Sequence, residues 1–405
     1  MPRVVVVGAG IAGLVAARVL AEASCEVVVV EKELRLGGRV LSLDLGGDVV
    51  DAGASHVWSF YRATRSWMNL LGLRSQLLPV PGGRGALHAG DVPGILGSAA
   101  RVARNWRRLN YAHPELAAPL DSDSIAGYAN RHLSPAFTEL AIRPAFEWNA
   151  FCELEQLSQA LLLQSGRLFL GARPQVLRGG LQRLVQGLAS GLIVRRGKAG
   201  EAVAVVAEES RVTVATASGE ALEATAAVIS TDAGAAAGLI GGGGAHATFL
   251  SGVRHSEVAR GWWEFPPDPS EPPLGVVAGP RGSGAVLASR QARGRLRVAV
   301  ALYRRGDGLL EGGRLGASLR DRGLALNPRL LDRPPGAFAS HVWPKAVTIF
   351  SPGHFRRLAG LDPAELGPRV WLAGDYLVSP TVEGAVLSGQ SAAKGILRSH
   401  ILGGV

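Results

Sequence analysis

The chain opens on an unbroken apolar run, Val4 to Val7, closed by Gly8, Gly10 and Gly13 and followed by "LVAARVLAEA". Such a run fits a strand buried on both faces, as in a parallel sheet, and the stretch behind it is rich in helix formers. "CEVVVVE" then repeats the buried-strand pattern up to Glu31. The expectation is a strand–turn–helix–strand unit. An apolar run behind Arg3 also admits a cleaved secretory signal, but the glycines break it and the second strand gives it a place in a fold.

Further along the pattern changes period. "VLSLDLGGDVVDAGAS" reads as a short hairpin turning at Gly46 and Gly47. Residues 60–175 read as mainly helical, interrupted by prolines such as Pro114, Pro135 and Pro144. "RGGLQRLVQGLA" is a glycine pair opening an amphipathic helix, and "AVAVVAEESRVTVATASGEALEATAAVIST" alternates as short antiparallel strands do. "GLIGGGGAHA" reads as a flexible joint, and residues 250–350 as strands parted by Pro- and Gly-rich turns. "PRVWLAGDYLVSPTVEGAVLSGQSAAKGIL" ends the chain as a strand, an Asp-bearing loop and a helix.

A length of 405 residues exceeds one ordinary domain and predicts two cores. Cys25 and Cys152 lie far apart, which argues against a disulfide framework and for a reducing, cytoplasmic compartment. No apolar run reaches the roughly 18 residues of a spanning helix. The net charge of +10 rests almost wholly on arginine, with four lysines in the chain. No helix-turn-helix, RNP or zinc pattern organises these charges, so a solvated basic surface is expected rather than nucleic-acid binding. Residues 92–110, "VPGILGSAARVARNWRRLN", interleave arginine with apolar residues. Such a helix suits peripheral contact with an anionic membrane face or a cap over a substrate cleft.

The glycine spacing carries the first chemistry. G-x-G-x-x-G between strand and helix gives a tight turn, a close backbone approach to a pyrophosphate and close helix–strand packing. The helix N-terminus offers free N–H groups to phosphate. Glu31, beyond the second strand, can accept from ribose hydroxyls. Nine histidines show no ligand spacing, so no metal site is expected, and no G-x-S-x-G or acid–His–Ser set is present.

"VVGAGIAGLVAARVL" with "VVVVEKELRLGGRV", and the closing "LAGDYLVSPTVEGAVLSGQSAA", resemble the flavin-dependent amine oxidase superfamily. That group includes monoamine oxidases, protoporphyrinogen oxidases and carotenoid desaturases. "RGGLQRLVQGLA" and "VWPKAVTIFSPGHFRRL" are most similar to the protoporphyrinogen oxidase and desaturase branch. The resemblance implies an α/β fold: a Rossmann-like, GR2-type FAD-binding domain from residues 1–80, 175–240 and 360–405. The substrate domain, mixed sheet plus helices, would come from 81–174 and 241–359. It implies noncovalent FAD, held by Gly8, Gly10, Ala12, Gly13, Glu31, Lys32, Gly38, Arg39, Gly53, Ala54, Val203, Gly374, Asp375, Glu383, Gly384 and Ala385. His56 and Arg260 would stand beside the reacting centre.

Two departures bear on substrate. Many amine oxidases place a lysine where Arg260 stands, and a tyrosine where this chain has Thr381, two residues ahead of Glu383. Both favour hydride transfer to flavin N5 from a lipophilic small molecule, of tetrapyrrole-precursor or polyprenoid type, with oxygen or a quinone as acceptor. An amine or amino-acid oxidase and a non-catalytic FAD-binding protein are the rival expectations.

Overall fold

The computed structural model describes residues 1–80, 92–169, 172–241, 243–270, 274–280, 283–292, 294–303, 315–399 and 401. Its organising layer is a five-stranded, all-parallel sheet in the order Val370–Leu372, Ala226–Ile229, Arg3–Val7, Glu26–Glu31, Ile193–Arg196. The opening valines form the central strand. Because side chains alternate across a strand, Val4 and Val6 enter one core while Val5 and Val7 enter another. A strand covered on both faces has no use for polar residues, which is why the run reads as continuously apolar.

On the Val4 face the helices Ile11–Glu22, Gln182–Ala189 and Val382–Arg398 share one core. The first and last of these approach closely because position 389 is glycine: a Cβ there would lie 2.2 Å from the Ala12 carbonyl oxygen. On the Val5 face sit the antiparallel strands Ala202–Ala207, Val212–Thr216 and Ala221–Ala224 with the helix Ala233–Leu239.

A second five-stranded sheet is antiparallel, ordered Leu274–Ala278, Ala285–Ala292, Arg295–Leu302, Val258–Phe265, Ala337–Trp343. Every residue of Val258–Phe265 is buried. Ala259, Trp263 and Phe265 face a core with Leu319, Leu324 and Leu330, whereas Trp262 packs with Leu45, Val50 and Ala52 of the Ser42–Leu45/Asp48–Asp51 hairpin region. Period two puts Arg260 on the same side as Trp262, towards the first sheet.

Helices dominate between residues 92 and 169, including Val92–Arg104, Ile125–His132, Arg143–Ala150 and Gln159–Phe169. The parts of the expected helical stretch at 81–91 and 170–171 lie outside the described residues. Two expectations need correction. The glycine run near 240 is mostly taken into helices, Ala233–Leu239 and Gly244–Gly252, leaving Ile240, Gly241 and Gly243 as the described link. Residues 315–330 form helical turns over the antiparallel sheet rather than strands. In the arginine-rich segment Leu96 and Trp106 are 63% and 51% exposed, and the Arg167 guanidinium lies 4.4 Å from the Trp106 ring centroid. Among the described residues no helix is long and apolar enough to cross a membrane.

Candidate active site

A cleft of about 1390 Å³ runs from the glycine turn to the face of the antiparallel sheet. At its first end the helix Ile11–Glu22 begins at Gly10, which has extended φ and ψ of −74° and 177° and provides no side-chain cap. Its first turn carries no acidic residue, so positive dipole and backbone N–H groups are available to an anion. A Cβ built on Gly10 meets nothing within 4 Å, whereas one on Gly13 falls 2.0 Å from the Gly8 carbonyl oxygen. One glycine leaves room for a ligand and the other seats the helix on its strand. Ser230, beyond the Ala226–Ile229 strand, fixes the turn by donating to the carbonyls of Val7 at 2.8 Å and Gly8 at 2.9 Å.

Glu31 lines this end and is held by two N–H donors, Ala9 at 2.8 Å and Glu33 at 3.0 Å. Lys32 and the half-exposed Val203 line it too. Arg39 crosses the cleft to the C-terminal motif. Its Nη1 and Nη2 donate to the two carboxylate oxygens of Asp375 at 3.0 and 2.6 Å, a bidentate pair with Asp375 buried. Thr348 Oγ1 donates to the same carboxylate at 2.9 Å. Asp232 is paired with Lys345 at 2.7 Å. A deep groove with an uncapped helix start, an open glycine and an acid on the second strand suits an adenine dinucleotide, and FAD fits it.

Fifteen of the eighteen residues named from sequence line this one cleft: Gly8, Gly10, Ala12, Glu31, Lys32, Gly38, Arg39, Gly53, Ala54, His56, Val203, Arg260, Gly374, Asp375 and Ala385. Gly13, Glu383 and Gly384 do not. Gly13 is packed as just described, and a Cβ on Gly384 would lie 2.1 Å from the Ser379 carbonyl oxygen. The Glu383 carboxylate turns away from the cleft. It accepts from the N–H groups of Ala63 and Thr64 at 2.8 Å each and from Thr64 Oγ1 at 2.7 Å. It thus caps the helix Arg62–Leu70, which has no side-chain cap of its own.

The other end of the cleft is aromatic. Trp58, Phe60, Tyr61, Tyr111, Phe146, Trp148, Phe151 and Trp343 line it. Phe146, Trp148 and Phe151 lie within six residues of one another in the sequence, and all three reach the cleft wall. Trp263 belongs to the core beneath the sheet instead. Thr381 stands where a tyrosine was absent from the motif, but rings reach that place from elsewhere: the Tyr111 hydroxyl is hydrogen-bonded to Thr381 Oγ1 and accepts from Ser379 Oγ at 2.7 Å. Burial raises the pKa of both Tyr61 and Tyr111 above the usual phenol value. Nothing in the C-terminal motif announces Tyr111, which comes from 270 residues away.

His56 sits here with Nδ1 3.0 Å from Ser55 Oγ. Burial, followed by the positive fields of Arg290 and Arg260, holds its pKa down at about 4, so the ring is neutral at physiological pH. Arg260 is 6% exposed. Burial lowers its pKa to about 10, and Asp51 is the charge that opposes this. Gln164 also lines the cleft, 1% exposed, with neither amide atom hydrogen-bonded. Sequence reasoning missed Gln164, Ser230 and Thr348; Thr348 lies inside the stretch "VWPKAVTIFSPGHFRRL", but nothing in that stretch points to its contact with Asp375.

Comparison with known proteins agrees with this geometry. The family described as flavin containing amine oxidoreductase matches residues 11–254. The L-amino-acid oxidase of Mus musculus is 40% identical over 73 residues, 18% of this chain and only 12% of that protein's length. Cyclohexylamine oxidase from Brevibacterium oxydans IH-35A has a similar structure, with TM-score 0.77 at 19% identity over 98% of both chains. A protoporphyrinogen oxidase-like protein from Exiguobacterium sp. 255-15 gives 0.73 at 18%, again over 98% of both. At such identities the likeness establishes the fold, while the family model reaches the sequence itself. The chain belongs to the flavin containing amine oxidoreductase family, and FAD is its cofactor.

Proposed function

We propose that this protein oxidises a lipophilic small molecule at the aromatic end of its cleft. The observation that carries the reading is what lines that end. The carboxylates lining the cleft are Glu31, Glu33, Asp232 and Asp375, all belonging to its nucleotide side, and two of them are already in ion pairs. A protonated amine would therefore meet aromatic rings and the Arg260 cation, with no lining carboxylate among the described residues to receive it.

Bound FAD supplies the two-electron acceptor at N5, so that substrate gives up a hydride and a proton and oxygen or a quinone ends as hydrogen peroxide or quinol. The chain's own residues position and shield. The uncapped helix start and Arg39 hold the phosphate-bearing part, with Asp375 fixing Arg39. The rings exclude water and give an apolar molecule a surface on which to lie. Neutral His56 lines the same space as a polar group that can hydrogen-bond to substrate, while burial and the neighbouring arginines disfavour its protonated form.

The rival reading is an amine oxidase, and cyclohexylamine oxidase among the similar structures keeps it in play. Anaerobic bleaching of the FAD-loaded protein tests between them. Bleaching by a reduced tetrapyrrole or a polyene, with primary amines inert, is the expected result. Bleaching by amines alone would overturn the proposal.

A further inference from the structure

We propose that Arg260 is the anchor for a carboxylate carried by an otherwise apolar substrate. This rests on the reading that the aromatic end receives substrate, and it names the chemical class that end selects.

The argument begins with an imbalance. Burying a charge is costly unless it is paired, and the other buried ion pairs in this molecule follow that rule. Arg39 has Asp375, Arg143 has Glu139 and Glu147, and Glu264 has Arg295 and Arg297. Arg260 breaks it. It is 6% exposed, yet no carboxylate among the described residues lies within ion-pair distance. Its Nε has no partner at all. Nη1 has only the backbone carbonyls of Ala52 and Gly53, at the long distances of 3.3 and 3.4 Å. Asp51, the opposing charge that acts on it, is spoken for: it accepts from Ser42 Oγ at 2.6 Å and from the Leu181 N–H at 2.8 Å.

The group is nevertheless held in place. Its guanidinium lies 5.3 Å from the Trp148 ring centroid, 5.3 Å from that of Phe151 and 4.7 Å from that of Trp262. Rings satisfy a cation through their faces and leave its N–H fork unspent. A planar fork in a rigid apolar sleeve, lining the cleft, fits a carboxylate bidentately. Arg290 adds positive field at His56 in the same neighbourhood. Rings that favour a hydrocarbon body and a guanidinium that favours an anion together select an apolar acid and disfavour an amine.

The test is a set of titrations of the FAD-loaded protein, read by the change in flavin absorbance, with 4-phenylbutyrate, 4-phenylbutanamide, 4-phenylbutylamine and inorganic phosphate. The expected order is the carboxylate tightest, amide and amine at least tenfold weaker, and phosphate without competing effect. Arg260→Gln should weaken the carboxylate roughly tenfold to a hundredfold and leave the amide nearly unchanged. Arg260→Lys should keep part of the preference, since it retains charge but not the fork. Equal binding of carboxylate and amide by the unaltered protein, or a preference that survives Arg260→Gln, would overturn the anchor. Competition by phosphate at similar concentration would overturn it too, leaving a free-anion site. If Arg260→Gln fails to retain FAD, the ranking by the unaltered protein and by Arg260→Lys decides. Should none of the probes perturb the flavin, the aromatic end is not the substrate site and the functional reading falls as well. Failure of the anchor alone leaves that reading standing.

Discussion

The two ends of the cleft treat charge in opposite ways. At the nucleotide end three of the four lining carboxylates are tied down: Asp375 couples to Arg39, Asp232 to Lys345, and Glu31 is strapped by two N–H groups. These couples join segments far apart in sequence, so their job is to hold the walls in register. At the aromatic end Arg260 is sheathed in rings and has no carboxylate of its own among the described residues. A paired charge is finished structure. An unpaired one is structure awaiting a ligand, and the contrast separates what the fold needs from what the reaction needs.

That separation is sharpest at two glycines. Gly13→Ala would force a Cβ against the Gly8 carbonyl and the Ser230 hydroxyl, at 2.0 and 2.3 Å. The expected outcome is loss of the folded state or a fall in Tm of more than about 10 °C, from overpacking well beyond the usual 1–3 kcal/mol. Gly10→Ala meets no protein atom within 4 Å, so Tm of the cofactor-free protein should stay within about 2 °C while FAD occupancy falls sharply. Retained FAD in Gly10→Ala would break the assignment of this end.

A middle-sized effect is expected from Glu383→Ala. It removes three hydrogen bonds from the start of the Arg62–Leu70 helix and should cost about 2 kcal/mol. Thermal unfolding of the cofactor-free protein checks that figure. Flavin content should be reduced only as far as stability is, because the carboxylate faces away from the cleft. Loss of FAD with an unchanged Tm would return Glu383 to the cofactor.

Acid should act more gently, through buried groups spread over the molecule. Burial lowers His56, His255 and His354 from 6.5 to about 4. Between those values the unfolded chain binds more protons, so stability is lost as pH falls from 6.5 towards 4. Asp51 opposes this: burial raises it from 3.8 to about 6, so the folded state is the better proton acceptor there. Three groups against one predict a Tm that declines by several degrees between pH 7 and 5. A flat or rising profile would mean that these rings are solvated.

How much of this was legible beforehand follows from where the partners lie. The Val4–Val7 strand, the glycine turn, the Arg39 loop and the Asp375 loop could be read because each is built from neighbours in sequence. The sheet around them was equally legible, since buried parallel strands announce themselves by continuous apolar runs. What escaped depends on long-range meetings. Thr348 joins Asp375, Ser230 locks Gly8, and Thr64 receives Glu383 across 319 residues. Arg260 was singled out as a departure at a lysine position, but its sleeve comes from the separate segments at 148–151 and 262, and only folding reveals that no carboxylate comes with them. Gln164 had no signal at all, being one polar residue on a helix of otherwise ordinary pattern.

The packing of the Val382–Arg398 helix on Ile11–Glu22 has a consequence for how the protein comes into being. About 370 residues separate the starts of these two partners. At ordinary translation speeds the ribosome needs roughly 20–75 s to span that gap. For all that time Leu14, Val15 and their neighbours lack their final cover, and Arg39 lacks Asp375. The nascent chain therefore carries its phosphate-binding turn long before the clamp that closes on it. Cofactor capture should wait on that clamp, since the pocket is incomplete until both ends of the interval have been made.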